Sequence, residues 1–156
     1  MSDKICCFAG HKDIYGSENL HELVYNKCEE LICKKVVNCF WVGHYGSFDG
    51  LAANTVRKLK VKYPHIKLEL ILPYVTKSIN DYKEMYYKDY DNMIMADMPE
   101  RTPVKFRILK CNQYMVDCSD FLIAYVNHSF GGSVKTLEYV QKKKDIEIFN
   151  FGTYKG

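Results

Sequence analysis

Short apolar runs alternate along this chain with longer segments whose apolar residues recur at helical spacing. "KICCFAG" (Lys4–Gly10) is apolar and ends in glycine, so it reads as a buried strand and a turn. Ser17 can then cap a helix through "ENLHELVYNKCEELICKK", with Leu20, Leu23, Val24, Leu31 and Ile32 as its apolar stripe. "VVNCFWVG" (Val36–Gly43), rich in β-branched and aromatic residues, predicts a second buried strand. A helix follows from about Asp49 to Tyr63, stopped by Pro64, and "IKLELILPY" (Ile66–Tyr74) gives a third strand closed by Pro73. The pattern then weakens. "SINDYKEMYYKDYDN" is polar and tyrosine-rich, with Tyr82 and Tyr86 one helical turn apart, and a short strand falls near Met93–Ala96. Val104, Ile108, Cys111 and Met115 recur at near-helical spacing and predict a helix from about Pro103 to Asp117. "FLIAYVN" (Phe121–Asn127) is another buried strand, "FGGSVKTLEYVQKKK" a glycine turn opening a helix, and "IEIFNF" (Ile146–Phe151) ends the fold.

Strands alternating with helices, and strands that are almost continuously apolar, predict a mainly parallel sheet covered on both faces. No linker, repeat or low-complexity segment interrupts residues 1–156, so the expected architecture is a single doubly wound α/β domain. Such sheets bind ligands in the crevice outside the carboxyl ends of their strands. That rule singles out three turns: Gly10-His11, Gly43–Asp49 and His128–Thr136.

Each turn pairs glycine with polar residues. In "NHSFGGSVKT", Gly131 and Gly132 allow close backbone approach, and Ser133, Lys135 and Thr136 add hydroxyls and a cation at a helix start. A phosphate cradle and a plain capped turn explain that segment equally well. "GHYGSFDG" offers Gly43, Gly46, Ser47 and Asp49, but matches neither a Walker loop nor GxGxxG. Asp49 either caps its helix or accepts from a ribose hydroxyl, and Phe48 is either core or a stacking partner for a base. The first turn contributes His11 and Lys12, and Asn112 on the Pro103–Asp117 helix is placed to reach the crevice edge. His11, His44 and His128 come from separate turns without a helical pair or carboxylate partner, so neither a metal site nor a cofactor is expected.

A net charge of +3, with Lys and Arg dispersed among acids, argues against nucleic acid and against a membrane as partners. Lys34-Lys35 and Lys142–Lys144 fit helix carboxyl ends. Seven cysteines without CxxC or Cys/His spacing read as reduced, buried thiols. No signal peptide precedes "MSDKICCF" and no apolar run approaches the ~20 residues of a membrane span, so the expectation is a cytoplasmic protein.

"CCFAGHK", "GSFDGLAA", "LILPY", "CNQYMVDCSDFLIAYV" and "GGSVKTLEYV" occur in an order that resembles the YspA-like branch of the SLOG superfamily. That superfamily also includes the LOG phosphoribohydrolases and the Rossmann-like domain of DNA-processing protein A. The resemblance runs from Lys4 to about Phe151 and implies a Rossmann-like fold whose crevice binds nucleotides or derivatives such as ADP-ribose. It also implies phosphate binding by Gly131, Gly132, Ser133 and Thr136, with Gly46, Phe48, Asp49, Gly10 and His11 completing the site. Two departures stand out. LOG enzymes resemble PGGxGTxxE at this turn, whereas here Phe130 replaces the proline, one extra residue precedes Thr136, and Tyr139 takes the place of the glutamate, with Glu138 beside it. Cys111 precedes Asn112 where YspA-like sequences commonly carry arginine.

The reading is therefore a binding module, a sensor or sponge for an ADP-ribose-like or cyclic signalling nucleotide of the kind used in phage defence or anti-defence. A nucleotide N-glycosidase with Glu138 or Asp49 as acid/base is the alternative. Single-stranded DNA binding is the weaker third reading on charge, and the resemblance implies a homo-oligomer, a contact the aromatics of the 82–90 segment would suit.

Overall fold

The computed structural model describes residues 3–11, 19–44, 46–74, 77–81, 83–127, 129, 131–143 and 145–153, the side chains of 78 and 79 apart. Ser17, Lys12, Tyr82, His128, Phe130 and Lys144 lie outside the described residues.

The elements follow in the order β1 (Ile5–Gly10), α1 (Leu20–Lys34), β2 (Cys39–Val42), α2 (Ser47–Lys62), β3 (Lys67–Leu72), α3 (Lys77–Asp81), α4 (Lys83–Asp89), β4 (Asn92–Met95), α5 (Val104–Cys118), β5 (Phe121–Tyr125), α6 (Gly132–Gln141) and β6 (Glu147–Asn150). One six-stranded sheet has the order β4-β3-β2-β1-β5-β6, and every pairing is parallel. This is the doubly wound, Rossmann-like α/β fold that the alternating pattern predicts. Period-2 alternation sends Cys6 and Phe8 of β1 into the core cluster shared with α1 and α2, and Cys7 and Ala9 into the one shared with α5 and α6. Strand order reverses between β1 and β5, whose register runs from Cys6–Phe121 to Gly10–Tyr125. The crevice expected of such a sheet opens above Gly10 and Tyr125.

Three sequence expectations are corrected. β2 begins at Cys39, not Val36, because α1 ends in a left-handed turn: Val36 has φ 58°, and the Val37 N–H reaches back to the Leu31 carbonyl at 3.1 Å. The apolar stripe of α5 is only half buried, with Cys111 and Met115 inside, Val104 69% exposed and Ile108 38%. The Cys111 thiol donates to the Ile71 carbonyl at 3.7 Å, one residue from the end of β3, so the earlier turns of α5 stand past the sheet. Cys33 and Cys118 are exposed, whereas Cys6, Cys7, Cys28, Cys39 and Cys111 are buried, all of them free thiols. Among the described residues no helix is long and apolar enough to cross a membrane.

Val36 is a β-branched residue where glycine is the usual occupant, in a backbone region that costs an L-residue roughly 1–2 kcal/mol. It is 71% exposed, so its side chain contributes little packing. Val36→Gly is expected to stabilise the fold by about 1 kcal/mol, net of glycine's greater unfolded freedom, and to raise the melting temperature by about 2–4 °C. Thermal unfolding followed by circular dichroism checks the sign.

Candidate functional site

The crevice is built where β1 and β5 diverge. Gly10 closes β1 with no room for a side chain, since a Cβ there would stand 2.3 Å from the Phe48 ring. Phe48, from the first turn of α2, packs against Phe8 and Tyr125 with centroids 6.3 and 6.2 Å away and is fully buried. No face of its ring is left for a base. Its place among ligand contacts is corrected: Phe48 is core, and it holds the β1 turn against α2.

His11 follows immediately and is only 5% exposed. Its backbone N–H donates to the Tyr125 carbonyl at 3.2 Å, its Nε2 accepts from the Asn127 backbone N–H at 2.9 Å, and its Nδ1 lies 2.9 Å from Ser133 Oγ. The side chain thus clasps the turn after β1 to the turn after β5 and to the first turn of α6. Asn127 Nδ2 donates in turn to the Tyr125 hydroxyl at 2.9 Å. On the far side Asn150, last residue of β6, accepts from the Val126 N–H at 2.9 Å and donates to the Val126 carbonyl at 3.1 Å. No sequence motif singles out either asparagine. Asn150 stands at the carboxyl end of a strand and Asn127 just beyond one, so the crevice rule contained the signal for both.

α6 opens on Gly131 with φ 102°, a conformation that favours glycine, and Gly132 is exposed with open space where a side chain would project. Among the described residues the first helical bond is Lys135 N–H to the Gly131 carbonyl, 3.4 Å, and the N–H groups of Gly132, Ser133 and Val134 stand in the first turn, at the positive end of the helix dipole. Lys135 is exposed. Thr136 does not belong to this group. It is 1% exposed and its hydroxyl donates to the Gly132 carbonyl at 3.0 Å, so the helix itself consumes the group expected at the ligand. Glu138 is exposed six residues beyond Gly132, about 9 Å along the axis. Tyr139 donates to Asp117 at 2.8 Å, tying α6 to α5.

α2 starts in the same way, on Gly46 with φ 154°, followed by exposed Ser47 and half-buried Asp49. A Cβ on buried Gly43 would stand 3.2 Å from the Asp49 carboxylate, so that side chain folds back over the end of β2. Burial pushes the Cys111 thiol up to about 12, and the negative charge of Asp49 adds to the effect, which places Asp49 within electrostatic reach of α5. Half-buried Asn112 follows Cys111 at the level of the end of β3. From the tyrosine-rich segment, Tyr86 reaches the same turn: its hydroxyl is 3.3 Å from His44 Nε2 and the rings meet edge to face. Tyr87 is 56% exposed. A cavity of ≈ 290 Å³ between α2 and α4 includes Lys60, Leu68 and Asp91. It lies near the amino end of β3, and Lys60 is already held by Asp91 at 2.6 Å. Among the described residues no His, Cys, Asp or Glu cluster is arranged to hold a metal ion.

The fold is similar to that of DNA processing protein A from Streptococcus pneumoniae, with TM-score 0.66 at 14% identity over 95% of this chain and 50% of that one. It is also similar to DNA processing protein A from Helicobacter pylori, with TM-score 0.62 at 14% identity over 93% of this chain and 64% of that one. The Helicobacter pylori structure describes a single-stranded DNA binding mode, which overturns the argument made from net charge against nucleic acid. Among curated proteins, UPF0398 proteins of Bacillus cereus strains G9842 and B4264 are each 28% identical over 110 residues, 66% of this chain. The chain spans 58% of their length. Residues 5–152, nearly the whole chain, match the YspA SLOG family, and the chain belongs to that family.

Proposed function

We propose that the crevice between the β1 and β5 turns binds a nucleotide-derived ligand through its phosphate, at the amino end of α6, and that the protein acts as a sensor or sponge for that ligand. The observation that carries this reading is the α6 start. An exposed Gly131-Gly132 pair, with Gly131 in a glycine-only conformation, presents N–H groups at the point where strand order reverses. Asp49, folded over Gly43 at the neighbouring turn, suits a ribose hydroxyl.

A thermal-shift series with AMP, NAD, ADP-ribose and cyclic nucleotides tests the reading. A ligand at one hundred times its dissociation constant adds about 2.7 kcal/mol of apparent stability, roughly 5–10 °C for a chain of this size. Gly132→Asp is the informative variant, because the space at Gly132 accepts a side chain and an acid in the first turn suits the helix dipole. The unliganded variant should melt within a few degrees of the native chain while the ligand-induced shift disappears. An unchanged shift would remove the α6 turn from the phosphate site.

A second reading, single-stranded DNA, is favoured by the fold shared with the Helicobacter pylori protein. The same turn can hold a backbone phosphate. Anisotropy with a labelled oligonucleotide separates the two: strand binding weakens steeply with salt and is lost in Gly132→Asp, whereas a free-nucleotide site leaves the oligonucleotide unbound.

A further inference from the structure

His11 has both ring nitrogens engaged in a nearly solvent-free position. The Asn127 backbone N–H can only donate, so Nε2, 2.9 Å away, must carry a lone pair. A neutral imidazole then holds its proton on Nδ1, which faces Ser133 Oγ at 2.9 Å. Nδ1–H donates and the hydroxyl oxygen accepts. The hydroxyl proton is therefore barred from the ring and must point to another acceptor. Ser133 is the second residue of α6, in the first turn and, among the described residues, ahead of the first helical bond.

We infer that His11 is a positioning residue: fixed as the Nδ1–H tautomer, it turns the Ser133 hydroxyl into a donor aimed at an anion held by the α6 amino end. The consequence is a site of uniform polarity. Gly132 N–H, Ser133 N–H and Ser133 O–H all offer protons, which suits phosphate oxygens and opposes a cation or a ligand amine. The Asn127 N–H that fixes the tautomer is held from outside the site: Asn150 Nδ2 donates to the Val126 carbonyl of the same peptide group, and Asn150 Oδ1 accepts from the Val126 N–H. The ligand half of this inference rests on the proposed phosphate site; the tautomer half does not.

Nitrogen-detected NMR of histidine-labelled protein, with the His11 signals assigned by their loss in His11→Gln, reads the tautomer directly in the unliganded chain. The expected signature is a protonated Nδ1 and an unprotonated Nε2 near neutral pH. A protonated Nε2, or an imidazolium, overturns the positioning role whatever the ligand.

Calorimetric titration with ADP-ribose reads the consequence. Ser133→Ala should weaken binding about ten-fold, the scale of one hydrogen bond to a charged group, and His11→Leu at least as much. Adding Ser133→Ala to His11→Leu should change affinity by no more than about two-fold, because the hydroxyl has already lost its orientation. Independent, multiplying effects overturn the relay. Absence of binding by the native chain to ADP-ribose, AMP and pyrophosphate, with the expected tautomer present, overturns the phosphate site instead.

Discussion

Replacing Phe48 with alanine is expected to cost about 3–5 kcal/mol of folding stability, the usual range for a fully buried phenylalanine. The same replacement should relieve only part of the cost of Gly10→Ala, because alanine keeps the residue-48 Cβ that lies 2.6 Å from the new methyl group. In the native background a Cβ on Gly10 would meet the Phe48 Cγ and Cδ2 at 2.3 Å and its Cβ at 2.6 Å. The ring has no easy escape, because it is wedged between Phe8 and Tyr125 and its own Cβ is among the clashing atoms. Overpacking of this kind costs about 1–3 kcal/mol. Urea unfolding of the native chain, the two single variants and the double variant forms a complete cycle. The expected result is partial non-additivity, with Gly10→Ala less costly once the ring is gone but still strained against the residue-48 Cβ. Equal costs in both backgrounds would show that the ring does not hold the end of β1. Because His11 follows Gly10, the stability effect also reaches the crevice: a turn pushed off α2 moves the imidazole away from Asn127 and Ser133.

The sequence pattern shows the sheet well because β1, β2 and β3 are apolar runs closed by glycine or proline, signals that act locally. The opposed faces of Cys6 and Cys7 follow from strand geometry alone, and the three crevice turns follow from the position of glycines at strand ends. What failed was decided by tertiary position. The α5 stripe has the right period along its whole length, but periodicity does not say where the sheet ends, and Val104 and Ile108 fall past that edge. Within the site, the residue types at the α6 turn were legible and their division of labour was not. Ser133 and Thr136 are chemically alike, yet one faces His11 and the other back-bonds its own helix. Phe48 reads as a core ring first and a stacking ring second, and Gly10 beneath it decides for the core. His11 stands out in the sequence for following a strand, while its role depends on a backbone N–H 116 residues away in sequence.

Glu69 shows the same limit most sharply. In "IKLELILPY" it reads as the polar half of an alternating strand, yet the sheet closes over it, leaving 9% exposed. Its carboxylate accepts from the Trp41 indole N–H at 2.9 Å, the Cys39 thiol at 2.8 Å and Asn92 Nδ2 at 2.6 Å, while Tyr114 of α5 stacks on Trp41 at 5.7 Å. Burial works against ionisation, but the donors Cys39, Trp41 and Asn92 outweigh it and hold the carboxyl below its ordinary value. The same burial and charge push the Cys39 thiol far up, so it stays a donor. Glu69→Ala strands these buried donors and should cost about 3 kcal/mol. Glu69→Gln should cost nearer 1 kcal/mol, since its amide oxygen can serve Cys39 and Trp41 while Asn92 turns its own oxygen inward. The pH dependence has a definite sign. A carboxyl titrating lower in the folded chain than in the unfolded one, where it titrates at about 4.3, stabilises fully above that value. The contribution is lost as pH falls through the lower folded value, so the stability gap between the native chain and Glu69→Gln should be constant near neutrality and close in acid. Trp41 is the only tryptophan in the chain, so its fluorescence during urea unfolding reports this node directly. A gap unchanged between about pH 7 and pH 3 would mean that the carboxylate charge contributes nothing to holding β2, β3 and β4 in register.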